Sequence, residues 1–207
     1  MSSINHFIAN STGELDHIKG LIIESLDTVV PVVVKDLDAN QIDIIFVSAP
    51  DLAMPEYGIG GNSPGPNHIY ISFDPKSDKI TKEGLDETLF HEIHHCMRWR
   101  NPGYGQTLGE AMITEGLACL YEEQKTGKIP IYAKAELSDV QVDLAKKTIN
   151  STEYNHSNWF FGGGDIERWF GYSLGYRLCK EYSIKQGIAA SELVEVPAHT
   201  ILDSSVK

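Results

Sequence analysis

Strand-like sequence is confined to one short window of this 207-residue chain, and every other clear period is helical. Ile42-Asp43-Ile44-Ile45-Phe46-Val47, closed by Ala49-Pro50, and His68-Ile69-Tyr70-Ile71-Ser72-Phe73 are β-rich runs with turn residues at their ends. Between them the Gly- and Pro-rich segment from Tyr57 to Asn67 reads either as a short edge strand plus a turn or only as a loop. Upstream, Leu15, Ile18, Leu21, Ile22, Leu26, Val29, Val30 and Val33 recur at intervals of three and four. That spacing predicts a long amphipathic helix from Gly13 to Asp38, which Pro31 should kink or end.

Downstream of Pro75 the set Leu85, Leu89, Phe90, Ile93 and Met97 predicts a helix capped by Thr81 or Ser77 and ended by Asn101-Pro102-Gly103. Further helices are expected at about Thr107 to Gln124, stopped by Gly127, at Ser138 to Ile149, and at about Asp165 to Gln186, stopped by Gly187. The fold class is therefore α+β. An N-terminal helix and a small mixed sheet with an edge strand should occupy residues 1–80, and a helical part residues 81–207, of one domain spanning 1–207.

The chain is 42% hydrophobic and 22% charged, which excludes a disordered tail protein. Its 17 Lys and Arg stand against 29 Asp and Glu, a net charge of −12, without a basic cluster. Nucleic acid and anionic membrane are thus poor partners. The longest apolar stretch, Val29 to Val34, is far short of the roughly 20 residues of a membrane helix. The first residues carry neither a basic nor an apolar signal region, so a cytoplasmic location is expected. Cys96, Cys119 and Cys179 form an odd set without CxxC, which predicts reduced, buried thiols.

Chemistry concentrates in His91-Glu92-Ile93-His94-His95, an H-E-x-x-H pattern. Residues four apart stack one helical turn above another, so His91 and His95 can offer two imidazoles to one metal, with Glu92 aimed at a water on it. With 8 His in the chain, the pattern arises by chance in roughly 2% of such sequences. Both histidines also point about 180° away from the centre of the Leu85, Leu89, Ile93, Cys96 and Met97 face, so they are not ordinary core residues. His94 lies off that face and reads as a structural or surface histidine.

A hydrolytic zinc site needs a third protein ligand and an open fourth position. The next helix offers Glu110 and Glu115, which differ by roughly 140° in phase and cannot both face one metal. Glu115 is the candidate, because Ala111, Gly116 and Ala118 beside it would let this helix approach the first one closely. Glu110 suits the helix N-terminus.

His91, Glu92, His95 and Glu115, with nineteen residues between the last two, resemble the H-E-x-x-H…E arrangement of gluzincin metallopeptidases, a branch that includes the thermolysin-like enzymes. Glu115-Gly116-Leu117-Ala118 resembles the E-G-x-A string of the zinc aminopeptidases. Gly65-Pro66-Asn67 through Phe73, Thr88-Leu89-Phe90 and Gly171-Tyr172-Ser173-Leu174-Gly175-Tyr176 look like a bacterial family described only as predicted Zn-dependent proteases. The resemblance implies a zincin-like fold and a peptidase. One Zn2+ per chain would be held by His91, His95 and Glu115, with Glu92 as general base and a peptide or protein as substrate. It further implies an oxyanion donor from a later helix, Tyr176 or Tyr172, with His156 as a third candidate, and a substrate strand lying along the segment from Gly58 to Tyr70. One position departs from the thermolysin-like pattern: the Asp expected four residues after Glu115 is Cys119. The group that orients a ligand histidine must then be Glu122, Asp165 or a backbone carbonyl. The alternative reading is a non-catalytic zinc protein that uses the same ligands structurally.

Overall fold

A computed structural model describes residues 4–205 and divides into two compact units that part between Arg100 and Asn101. The fold is α+β, as the residue pattern predicts. The first unit includes the first helix after the sheet, which packs with the sheet.

The first unit begins with a strand, β1 (Ile4–Ala9), where the reading began with a helix. Its sequence INHFIA lacks alternation, since as an edge strand it buries no side chain fully. A 3-10 turn, Asp16–Ile18, leads into α1 (Lys19–Leu37). Pro31 does not end this helix: it lies on the exposed side, while Val29 and Val33 either side of it are buried. Tertiary packing offsets the hydrogen bond that proline removes. β2 (Ile42–Ser48) and β4 (His68–Phe73) fall where expected, and the Gly-rich segment does contain an edge strand, β3 (Ile59–Asn62). The sheet order is β1-β2-β4-β3, with β3 alone antiparallel. Ile42, Ile44 and Phe46 alternate inward beside Ile69, Ile71 and Phe73, whereas Phe7 and Tyr70 stay exposed. α2 (Lys82–Arg100) then runs along α1, β3 and β4. Thr81 is its cap, the Oγ1 accepting from Gly84 N at 3.1 Å.

The second unit opens with α3 (Leu108–Thr126), whose start is a reciprocal cap: Thr107 Oγ1 accepts from Glu110 N at 3.2 Å, and Glu110 Oε2 accepts from Thr107 N at 2.9 Å. Glu110 thus has the helix-start role read for it, and Gly127 in the left-handed region closes the other end. α4 (Asp139–Thr148) and a short α5 (His156–Phe161) precede α6 (Phe170–Gln186). α6 starts five residues later than the periodicity suggests, because Trp169 adopts φ +68° and donates its N–H to Phe160 O. α7 (Ala190–Leu193) and α8 (Ala198–Ser205) complete the chain. α3 and α6 cross where Gly116 meets the backbone of Gly175 and Tyr176, and Gly175 meets the Met112 carbonyl. Gly116 therefore serves this crossing with α6, a correction to its reading as part of an approach surface for the histidine helix. Leu108, Met112, Trp159, Phe160, Phe170 and Leu174 fill the core below it. No helix among the described residues is long and apolar enough to cross a membrane, and all three cysteines are buried and outside any disulfide.

Candidate metal centre

In the first unit α2 presents the motif residues on consecutive turns. His91 and His95 are buried, and their Nε2 atoms face each other at 3.0 Å. Two imidazoles on one tetrahedral zinc, with Zn–N bonds of about 2.0–2.1 Å, would place these atoms about 3.3 Å apart. The pair therefore fits a shared metal with only a small opening, and two neutral nitrogen donors are the ligand type that zinc takes. His94 is fully buried, which settles its reading as structural rather than surface.

Glu92 is held beside this pair by contacts that the motif did not reveal. Ser63 Oγ donates to Glu92 Oε2 at 2.7 Å and lies 2.8 Å from the Glu92 carbonyl oxygen. Ser63 is itself fixed, because Trp99 Nε1 donates to its carbonyl oxygen at 2.7 Å. A Cβ on Gly61 would stand 2.5 Å from Glu92 Cγ and Oε1, so only glycine leaves the carboxylate this place. The Gly61-Asn62-Ser63 string was the available signal: a bare backbone followed by a hydroxyl, at the end of the strand that borders the motif helix. Cys96, one turn on, has its Sγ 3.4 Å from Gly65 O, and burial pushes its thiol up to about 12.

In the second unit Glu115 is buried in the middle of α3 and accepts from the Tyr104 hydroxyl at 2.5 Å. Burial, and then the charge of Glu115, hold that hydroxyl well above its ordinary range, so it is a permanent donor. Tyr154 and His156 also feel this carboxylate. Burial and then Glu115 raise the Tyr154 hydroxyl, while burial lowers the His156 imidazole against an opposing pull from Glu115. The His156 ring stacks on Phe160 at 4.3 Å between centroids and lies 6.4 Å from the Tyr104 ring.

The two tyrosines read from α6 part company. Tyr172 packs in the aromatic cluster, 5.1 Å from the rings of both Tyr132 and Phe160. The Tyr176 hydroxyl instead donates to Glu123 Oε2 at 2.7 Å and accepts from Lys180 Nζ at 2.7 Å. Glu123 lies eight residues beyond Glu115, about 12 Å along the helix axis, so Tyr176 is not brought to the Glu115 carboxylate. Their four-residue spacing gave them one face, but the glycine crossing sends Tyr176 along α3 toward Glu123. Of the groups considered for orienting a histidine, Glu122 is buried and accepts from the Tyr132 hydroxyl, and Asp165 is exposed.

A family model described as "Predicted Zn-dependent protease" matches residues 23–203. No curated protein and no solved structure matches the chain.

Proposed function

The chain belongs to that family of predicted Zn-dependent proteases, and from this premise we propose that it is a gluzincin-type metallopeptidase. One Zn2+ per chain would be bound by His91, His95 and Glu115, each of which is buried and offers one ligand atom. The observation that carries the catalytic reading is Glu92, a buried carboxylate fixed by Ser63 in the turn between the two imidazoles. A purely structural zinc site has no use for a base at that place.

When bound, zinc supplies a Lewis acid for the scissile carbonyl and lowers the pKa of a water toward about 7. Glu92 takes a proton from the attacking water and delivers it to the leaving amine, while Ser63 keeps the carboxylate aimed. The oxyanion needs a donor in addition, and His156 is favoured because its ring lies 6.4 Å from that of Tyr104, whose hydroxyl is bonded to Glu115. Burial holds that imidazole below its ordinary pKa, so near neutral pH it donates one N–H without carrying charge. A peptide or protein substrate would add as an antiparallel strand to the outer edge of β3 past Ile59, whose carbonyl already accepts from Met54 N.

The test is cleavage of a peptide library, with products identified, by zinc-loaded wild type and Glu92→Gln. Wild type should cut, and the variant should keep its zinc yet cut below about a tenth as fast. Zinc-loaded wild type that cuts nothing would make the chain a non-catalytic zinc protein.

A further inference from the structure

We infer that Tyr104 is the positioning residue of the metal centre, fixing the orientation in which the Glu115 carboxylate is presented to the metal. The inference rests on the reading of Glu115 as a zinc ligand. Tyr104 lies in the segment between α2 and α3, and its hydroxyl donates to Glu115 Oε1 at 2.5 Å. A carboxylate on a freely rotating side chain can offer either oxygen or both. With Oε1 held by a phenol, the plane of the group is fixed.

Three further observations show that the phenol is placed rather than merely near. Thr114, the residue before Glu115, donates its Oγ1 to the Tyr104 carbonyl oxygen at 2.9 Å, so the helix that carries the ligand also holds the segment that carries its partner. Gly105, next to Tyr104, has φ +98°, and a Cβ there would meet the Glu110 side chain. The chain therefore turns back over α3 at a place where only glycine fits comfortably. The partner is also a neutral donor. An Arg or Lys in its place would neutralise the carboxylate and weaken it as a ligand, whereas a phenol orients it and leaves its charge for the metal. The Asp absent at Cys119 would orient a ligand histidine, whereas the ligand oriented here is the carboxylate, and its partner comes from upstream.

The experiment measures zinc affinity of the full chain by chelator competition for wild type, Tyr104→Phe, Glu115→Ala and the double variant, with circular dichroism as the fold control. Tyr104→Phe should weaken zinc binding about 10–100-fold, and in the Glu115→Ala background the same change should have no further effect, because Tyr104 acts through Glu115. Thr114→Val, which frees the Tyr104 segment without touching the phenol, should weaken binding in the same direction but less, and it serves as the second variant if Tyr104→Phe does not fold. Unchanged affinity in the folded variants, or equal losses with and without Glu115, would overturn the positioning role alone. A wild type that binds no zinc would overturn the proposed function and this inference with it.

Discussion

Replacing Gly61 by alanine probes the carboxylate proposed as general base without touching a proposed ligand. The added Cβ would stand 2.5 Å from Glu92 Cγ and Oε1, against about 3.5–4.0 Å for an ordinary carbon contact. Something must retreat by about 1 Å or more, and the Glu92 side chain is the softer partner, since Gly61 lies in the β3–β4 ladder. That displacement stretches the 2.7 Å bond from Ser63 beyond hydrogen-bonding range, a loss of about 1.5–3 kcal/mol for a bond to a charged acceptor. A misplacement of about 1 Å in a catalytic group costs about 10²-fold in rate, or about 2.7 kcal/mol of barrier. Gly61→Ala should therefore lower kcat about 100-fold while zinc content stays at the wild-type level, read by peptide cleavage alongside metal analysis. Turnover within about twofold of wild type would refute the argument that Gly61 exists to seat Glu92, and loss of zinc would show that the clash spreads to the histidines.

Other consequences are as direct. His91→Ala, His95→Ala and Glu115→Ala should each bind zinc more weakly and lose thermal stability that binding confers, measured by chelator competition and melting; affinity in Glu115→Ala equal to wild type would remove it as third ligand. Glu110→Gln should retain zinc and lose only about 0.3–1 kcal/mol in denaturant unfolding, since glutamine can still close the cap with Thr107 and only the negative charge at the helix start is lost. Gly175→Ala, whose Cβ would run into the Met112 carbonyl, should destabilise the second unit by about 1–3 kcal/mol or more, whereas a gain of about 1 kcal/mol from helix propensity would show that the crossing relaxes freely. Tyr176→Phe should leave kcat within about twofold of wild type, since its hydroxyl serves Glu123 and Lys180; a 100-fold drop would restore it as oxyanion donor.

The helices and strands with strong periods were legible. Leu85 to Met97 and His68 to Phe73 each carry their own buried face, so local pattern and tertiary role agree. β1 was not, because an edge strand with Asn5, His6 and Phe7 exposed has no inward face to advertise it. Pro31 misled for a related reason, since its cost depends on what Val29 and Val33 bury and not on the proline itself. In the site, the motif named His91, Glu92 and His95 because their chemistry requires a fixed helical spacing. Ser63 and Tyr104 have no such spacing: each reaches its carboxylate from a loop, 29 and 11 residues away along the chain, and only the fold sets that distance. Gly116 was read for its size correctly and for its neighbour wrongly, because smallness shows that something comes close without showing what.

The central claim, one zinc held by two imidazoles and a carboxylate, is tested most directly by zinc-edge X-ray absorption on untagged protein. The account predicts one zinc per chain with only nitrogen and oxygen neighbours at about 2.0–2.2 Å, and a shell that changes in Glu115→Ala. Sulfur at about 2.3 Å, or the same shell in that variant, would contradict it.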